Sequence, residues 1–126
     1  MRLLLDSHVA LWALGHPTEL SDECSGHLRA ADEVYFSAVT PWELGIKRAK
    51  GRIVHPDGLP AELVACGFEE LPITAAHAEA ATRLPPHHAD PFDRMLVAQA
   101  QAESLILVTA DEQLLAYDVA TLHARR

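Results

Sequence analysis

Four acids in this chain of 126 residues fall where structural elements are expected to begin or end: Asp6, Glu43, Asp93 and Asp111. Asp6 directly follows the short apolar run 2–5, and Asp111 comes three residues after the apolar run 105–108. Glu43 and Asp93 each sit at the third position of an expected helix. Acids at strand ends and helix starts face the crevice where parallel α/β sheets bind ligands. Carboxylates sharing one small pocket repel, and each resists ionisation unless a cation neutralises the group. A divalent metal is the economical answer, and oxygen ligands without histidine or cysteine suit Mg²⁺ or Mn²⁺. Such an ion activates water and stabilises charge on a phosphate under in-line attack, so phosphodiester hydrolysis is the chemistry these acids suggest.

The elements that must position the acids alternate. A buried strand over 2–5 leads to a helix over 7–14 with Val9, Trp12 and Ala13 at helical spacing, ended by Gly15, His16 and Pro17. Ser21 caps a second helix with Asp22 and Glu23 in its first turn, and Val34-Tyr35-Phe36 is a β-branched and aromatic strand. The next helix carries the clearest start: Thr40 as N-cap, Pro41 at the first position, Glu43 completing a capping box, and Gly51 as a left-handed stop. A short helix over 61–66 closed by Gly67, an extended segment over 68–73 and an alanine-rich helix over 74–84 follow. After Pro85-Pro86 and a polar loop, Asp90-Pro91 starts a helix through Phe92, Leu96 and Ala100 to about Ser104. The strand 105–108, a last helix over 111–117 and an edge strand over 119–122 complete the chain. The pattern implies one α/β domain over residues 1–126, with a mostly parallel sheet covered on both faces.

Each acid also has a purely structural role open to it. Glu43 is what a Thr-x-x-Glu box requires, Asp90 is an ordinary N-cap with Asp93 a favourable first-turn acid, and Asp111 suits the cap of the last helix. Asp6 has no such duty unless it caps the helix after it. The joint pattern is stronger than its members. His87-His88 in a proline-flanked loop is expected to face solvent, and Trp12 and Trp42 read as core or interface aromatics. Lys47, Arg48, Lys50 and Arg52 form either a solvated helix face or a contact for a phosphate backbone, on the helix that supplies Glu43.

Ten basic against 18 acidic residues give a net charge of −8, which argues against a general nucleic-acid coat or a membrane-surface binder. Cys24 and Cys66 share no ligand spacing, so neither a zinc site nor a disulfide framework is expected. No uncharged apolar stretch approaches the roughly 18 residues of a membrane span, and Asp6 comes too early for a signal-peptide core. The expectation is a soluble, cytoplasmic protein. No G-x-S-x-G, P-loop or G-x-G-x-x-G occurs.

The order of these segments resembles the PIN-domain ribonucleases, specifically the VapC-type toxins of bacterial toxin-antitoxin pairs. The resemblance spans nearly the whole chain and rests on four segments: Leu4-Leu5-Asp6-Ser7-His8, Ser37-Ala38-Val39-Thr40-Pro41-Trp42-Glu43-Leu44, the stretch from His88-Ala89-Asp90-Pro91-Phe92-Asp93 to Ala100, and Leu107-Val108-Thr109-Ala110-Asp111. It implies a three-layer α/β/α fold, Mg²⁺- or Mn²⁺-dependent endoribonuclease activity, and a cognate antitoxin that blocks the site. Asp6 matches the first metal-binding aspartate of the family, Glu43 its helix-borne glutamate, Asp93 its third acid and Asp111 its fourth, with Thr109 beside it. Asp90 is assigned support. Members often form dimers, which no residue here establishes.

The expected function is thus a toxin endoribonuclease in which Asp6 and Asp93 bind the ion, Glu43 and Asp111 complete the pocket, and the basic cluster steers RNA. The alternative is an inactive module of the same fold that binds an antitoxin-like protein or RNA. A phospho-receiver domain would want paired acids near the first strand and a lysine after a late strand; residues 105–111 hold no lysine.

Overall fold

Leu3, Leu4 and Leu5 are fully buried because β1 (Arg2–Leu5) is the middle strand of a five-stranded parallel sheet in this computed structural model, which describes residues 1–125. Leu3 and Leu5 point into one hydrophobic cluster with Val34, Phe36 and Val108, while Leu4 points into another with Leu96, Val97 and Leu107. This period-2 division is why the strand reads as continuously apolar: both faces are covered.

Around it lie α1 (Ser7–Gly15), α2 (Asp22–Ala30), β2 (Glu33–Ser37), α3 (Val39–Ala49), α4 (Leu59–Ala65), β3 (Glu69–Leu71), α5 (Ala75–Arg83), α6 (Pro91–Glu103), β4 (Ile106–Thr109) and β5 (Thr121–His123). The strand order is β3-β2-β1-β4-β5, with Leu4 opposite both Tyr35 and Leu107. Residues of α1, α2 and α4 build the first cluster, and α6 builds the second with α5 packed against it, giving the three-layer α/β/α arrangement. The chain builds outward from β1 through β2 to β3, then returns to the other side of β1 as β4. The crevice at such a reversal is where α/β sheets bind ligands.

Several elements differ from the sequence expectation: α4 starts two residues earlier, at Leu59, and the start of α3 moves for a physical reason. Thr40 is not the N-cap of α3: the Ser37 hydroxyl accepts the Val39 N–H (3.0 Å), so the helix starts earlier, and Thr40 is buried inside its first turn against the Ser7 hydroxyl (3.1 Å). Pro41 is consequently the third helical residue. The expected last helix is a 3₁₀ turn, Glu112–Ala116, and β5 begins two residues later than expected. Other stops follow the chemistry read from the residues. Gly51 adopts φ +72° after α3, with Arg52 N–H bonded to the Lys47 carbonyl and Gly51 N–H to that of Arg48, a Schellman closure.

The middle of α6 is tied to the start of α3 through a buried polar chain. Gln99, on α6, accepts the Ser37 hydroxyl at 2.5 Å and donates to the Pro72 carbonyl at 3.2 Å. Both cysteines are free, Cys24 buried and Cys66 exposed. Among the described residues no helix is long and apolar enough to cross a membrane.

Candidate functional site

The end of β1 meets the end of β4 at the reversal, where the Asp6 N–H donates to the Val108 carbonyl (3.0 Å). Asp6 does cap α1, accepting the Val9 N–H on Oδ1 (2.9 Å), and its Oδ2 accepts the Thr109 hydroxyl. The Thr109 oxygen in turn accepts the Asp111 N–H (3.0 Å), so Thr109 links Asp6 to Asp111. Asp6 is buried, which raises its carboxyl above the usual range; the Thr109 and Val9 bonds oppose the rise and the Glu43 charge adds to it.

Glu43 is 2% exposed, in α3, and the early start of that helix removes its capping role. Its Oε2 accepts the Lys47 ammonium one turn on (2.7 Å), and its Oε1 is buried with no hydrogen-bond partner among the described residues. A buried carboxylate oxygen left unpaired is costly, and it marks a place that a cation or water fits.

Asp93 stands in the first turn of α6, where Asp90 caps the helix by accepting the N–H groups of Phe92 (2.8 Å) and Asp93 (3.2 Å). Burial first, and then the charges of Asp90, Glu43 and Asp6, together lift the Asp93 carboxyl to about 7, with His88 opposing them. The three acids Asp6, Glu43 and Asp93 therefore share one field, as the sequence pattern implies. Asp90→Ala removes two capping bonds and is expected to cost about 1 kcal/mol of stability, read as a lower denaturant midpoint at unchanged m-value.

Asp111 joins through a residue expected elsewhere. His87 is exposed with its ring edge-on to Tyr117 (5.1 Å), as anticipated for this loop, but His88 turns inward, 15% exposed. Its Nε2 lies 3.1 Å from Asp93 Oδ2 and 3.2 Å from Asp111 Oδ2. His88, Asp93 and Asp111 each offer a ligand atom within 4.8 Å of the others. The ring's other nitrogen decides its role. Nδ1 lies 3.2 Å from the Asp90 backbone nitrogen and accepts its N–H, which places the neutral ring's proton on Nε2. His88 is thereby a donor bridging two carboxylates, and the oxygens remain the donor set that fits a hard divalent ion.

Arg94 holds the loop that delivers His88. Its guanidinium donates to the carbonyls of Ala81 (2.9 Å), Leu84 (2.9 Å) and Pro85 (3.0 Å), at and just after the end of α5. The Tyr117 hydroxyl accepts the His88 N–H (2.9 Å) and steadies the same loop. Neither residue was singled out by the sequence pattern.

The basic cluster divides rather than forming one face. Lys47 is engaged with Glu43, Arg48 pairs with Asp57 (2.6 Å), and Lys50 and Arg52 are exposed near the end of α3. Trp42 is 65% exposed and meets Phe92 edge-on (5.1 Å), so it is no core aromatic; the two rings immediately precede Glu43 and Asp93 in sequence.

The PIN domain family profile matches residues 3–120. The chain is 34% identical over 115 residues to Ribonuclease VapC22 of Mycobacterium tuberculosis, covering 89% of this chain and 88% of that one. Two solved structures share the fold: VapBC2 from Rickettsia felis, bound to a promoter DNA fragment (TM-score 0.72, 14% identity, 98% of this chain and 99% of that one), and FitAcB from Neisseria gonorrhoeae (TM-score 0.65, 22% identity, 98% and 97%).

Proposed function

Because this chain belongs to the PIN-domain family as a VapC-type member, we propose that it is a metal-dependent endoribonuclease and the toxin of a toxin-antitoxin pair. The single observation that carries the metal dependence is Glu43 Oε1, buried and unpaired beside carboxyl groups whose charges already burden one another. Asp6 and Asp93 would hold Mg²⁺ or Mn²⁺, with Glu43 and Asp111 completing the pocket. Such an ion, when bound, supplies water activation and stabilises charge on the phosphate under attack.

The remaining tasks fall to the chain's own side chains. Thr109 and the start of α1 fix the Asp6 carboxylate, and His88 keeps those of Asp93 and Asp111 in mutual register. A protein of net charge −8 repels a polyanion, so RNA approaches along the exposed cations Lys50 and Arg52, with Arg48 beside them. RNA is the substrate, the cytoplasm the place of action, and a cognate antitoxin the partner that covers the site; the VapBC naming of the structural neighbour supports this last assignment.

Incubation of the purified chain, free of any antitoxin, with total cellular RNA tests the proposal. Internal cuts are expected with Mg²⁺ or Mn²⁺ and none with EDTA. RNA left intact by folded protein in both metals would overturn it and favour a binding module of the same fold; cutting that persists in EDTA would remove the metal from the account.

A further inference from the structure

Lys47 is one of only two lysines in the chain, and its surroundings are unlike those of the other, Lys50. Its ammonium sits 2.7 Å from Oε2 of a carboxylate that is 2% exposed, while its own side chain is 24% exposed and keeps a route to solvent. Glu43 thus presents one oxygen to an internal cation and holds the other with no partner among the described residues. A surface i,i+4 pair contributes a few tenths of a kcal/mol, but a buried carboxylate deprived of its cation is strongly destabilising. The pairing is therefore a requirement of the metal-free fold. A divalent ion bound against Glu43 inverts the situation, because it neutralises the carboxylate and repels the ammonium beside it.

Resting on the metal-site reading above, we propose that Lys47 is the resident counter-ion of this site and is exchanged for the metal. Its ammonium neutralises Glu43 when the ion is absent and gives up that carboxylate when the ion binds, so Lys47 lowers the affinity for metal while stabilising the metal-free protein. The exchange moves a positive charge toward solvent at the site, where an incoming phosphate meets it. Lys47 is a positioning residue for the metal, in place of the RNA-backbone contact that its place in the basic cluster suggests.

Reductive methylation of the unmodified protein, read by mass spectrometry, tests the exchange, because Lys50, at the C-cap of the same helix, serves as an internal control. Without metal, Lys47 is expected to react several-fold more slowly than Lys50; saturating Mg²⁺ is expected to speed Lys47 by about threefold or more as the charge-assisted bond is released, and to leave Lys50 unchanged. Calorimetric Mn²⁺ titration gives a second readout. Lys47→Met is expected to bind about tenfold more tightly than the parent, with a lower melting temperature in the absence of metal, whereas Lys47→Arg keeps the parent affinity. Metal that raises the melting temperature of the parent yet leaves Lys47 labelling unchanged, or a Lys47→Met protein that binds Mn²⁺ no more tightly, would overturn the exchange and leave the metal site standing. Metal that neither binds nor stabilises the parent would overturn both.

Discussion

Asp93→Asn is expected to lower metal-dependent RNA cleavage by at least roughly 10³-fold and, at the same time, to make the metal-free protein more stable at about pH 8, by about 2 kcal/mol. The loss follows from removing a charged oxygen from the set proposed to hold the ion. The gain follows from the position of the Asp93 carboxyl, which burial and the charges of Asp90, Glu43 and Asp6 burden when it ionises. An amide keeps the shape and the first-turn place in α6 but carries no charge. Opposite movements of activity and stability are what a site built against folding produces, and they separate function from mere unfolding. Cleavage retained by the variant, or a melting temperature well below the parent's, would count against Asp93 as a metal ligand.

Raising pH from about 4 to about 7 is expected to destabilise the metal-free protein, and saturating Mg²⁺ is expected to flatten that slope. The folded Asp93 carboxyl keeps its proton until about 7, whereas its ordinary value is 3.8. Between those values the unfolded chain has released the proton and the folded chain has not, so each increment of pH favours unfolding; the full effect is on the order of 4 kcal/mol as an upper bound. Asp6, also raised by burial, works in the same direction. A bound cation favours the carboxylate form in the folded state and so cancels the slope. Denaturant unfolding across this pH window, with and without Mg²⁺, measures it directly, and Asp93→Asn isolates the share due to one group. A parent and variant with the same slope would refute the assignment.

The ends of β1 and β4 and the start of α6 are readable from residue types, and with them the places of Asp6, Asp93 and Asp111, whereas Glu43, expected at the third helical position, is the fifth residue of α3. An apolar run ending in an acid, or a proline just after an aspartate, is a local signal with a local cause. What stayed hidden depends on contacts distant in sequence. His88 follows a second histidine in a polar, proline-flanked loop, and only the folded chain brings Asp93 and Asp111 to its Nε2. Arg94 is bound to backbone carbonyls, which have no identity in a sequence. Lys47 reads in the sequence only as one of a basic cluster, and its pairing with a buried Glu43 one turn earlier appears only in the fold. Thr40 resembled a cap because the helix start at Ala38, with the Val39 N–H bonded to the Ser37 hydroxyl at the end of a strand, carries no cap signature in its residue type.

The bond from Thr109 to Asp6 joins residues 103 positions apart, and β1 pairs with β4 across a similar separation. Such contacts close some of the long loops of the fold, and loop closure must be met before the pairing returns any stability. On the ribosome, Asp6 and α1 emerge early while their partners on β4 and the turn at Asp111 remain unsynthesised. The four acids can therefore come together only once the chain through Asp111 has been released to fold.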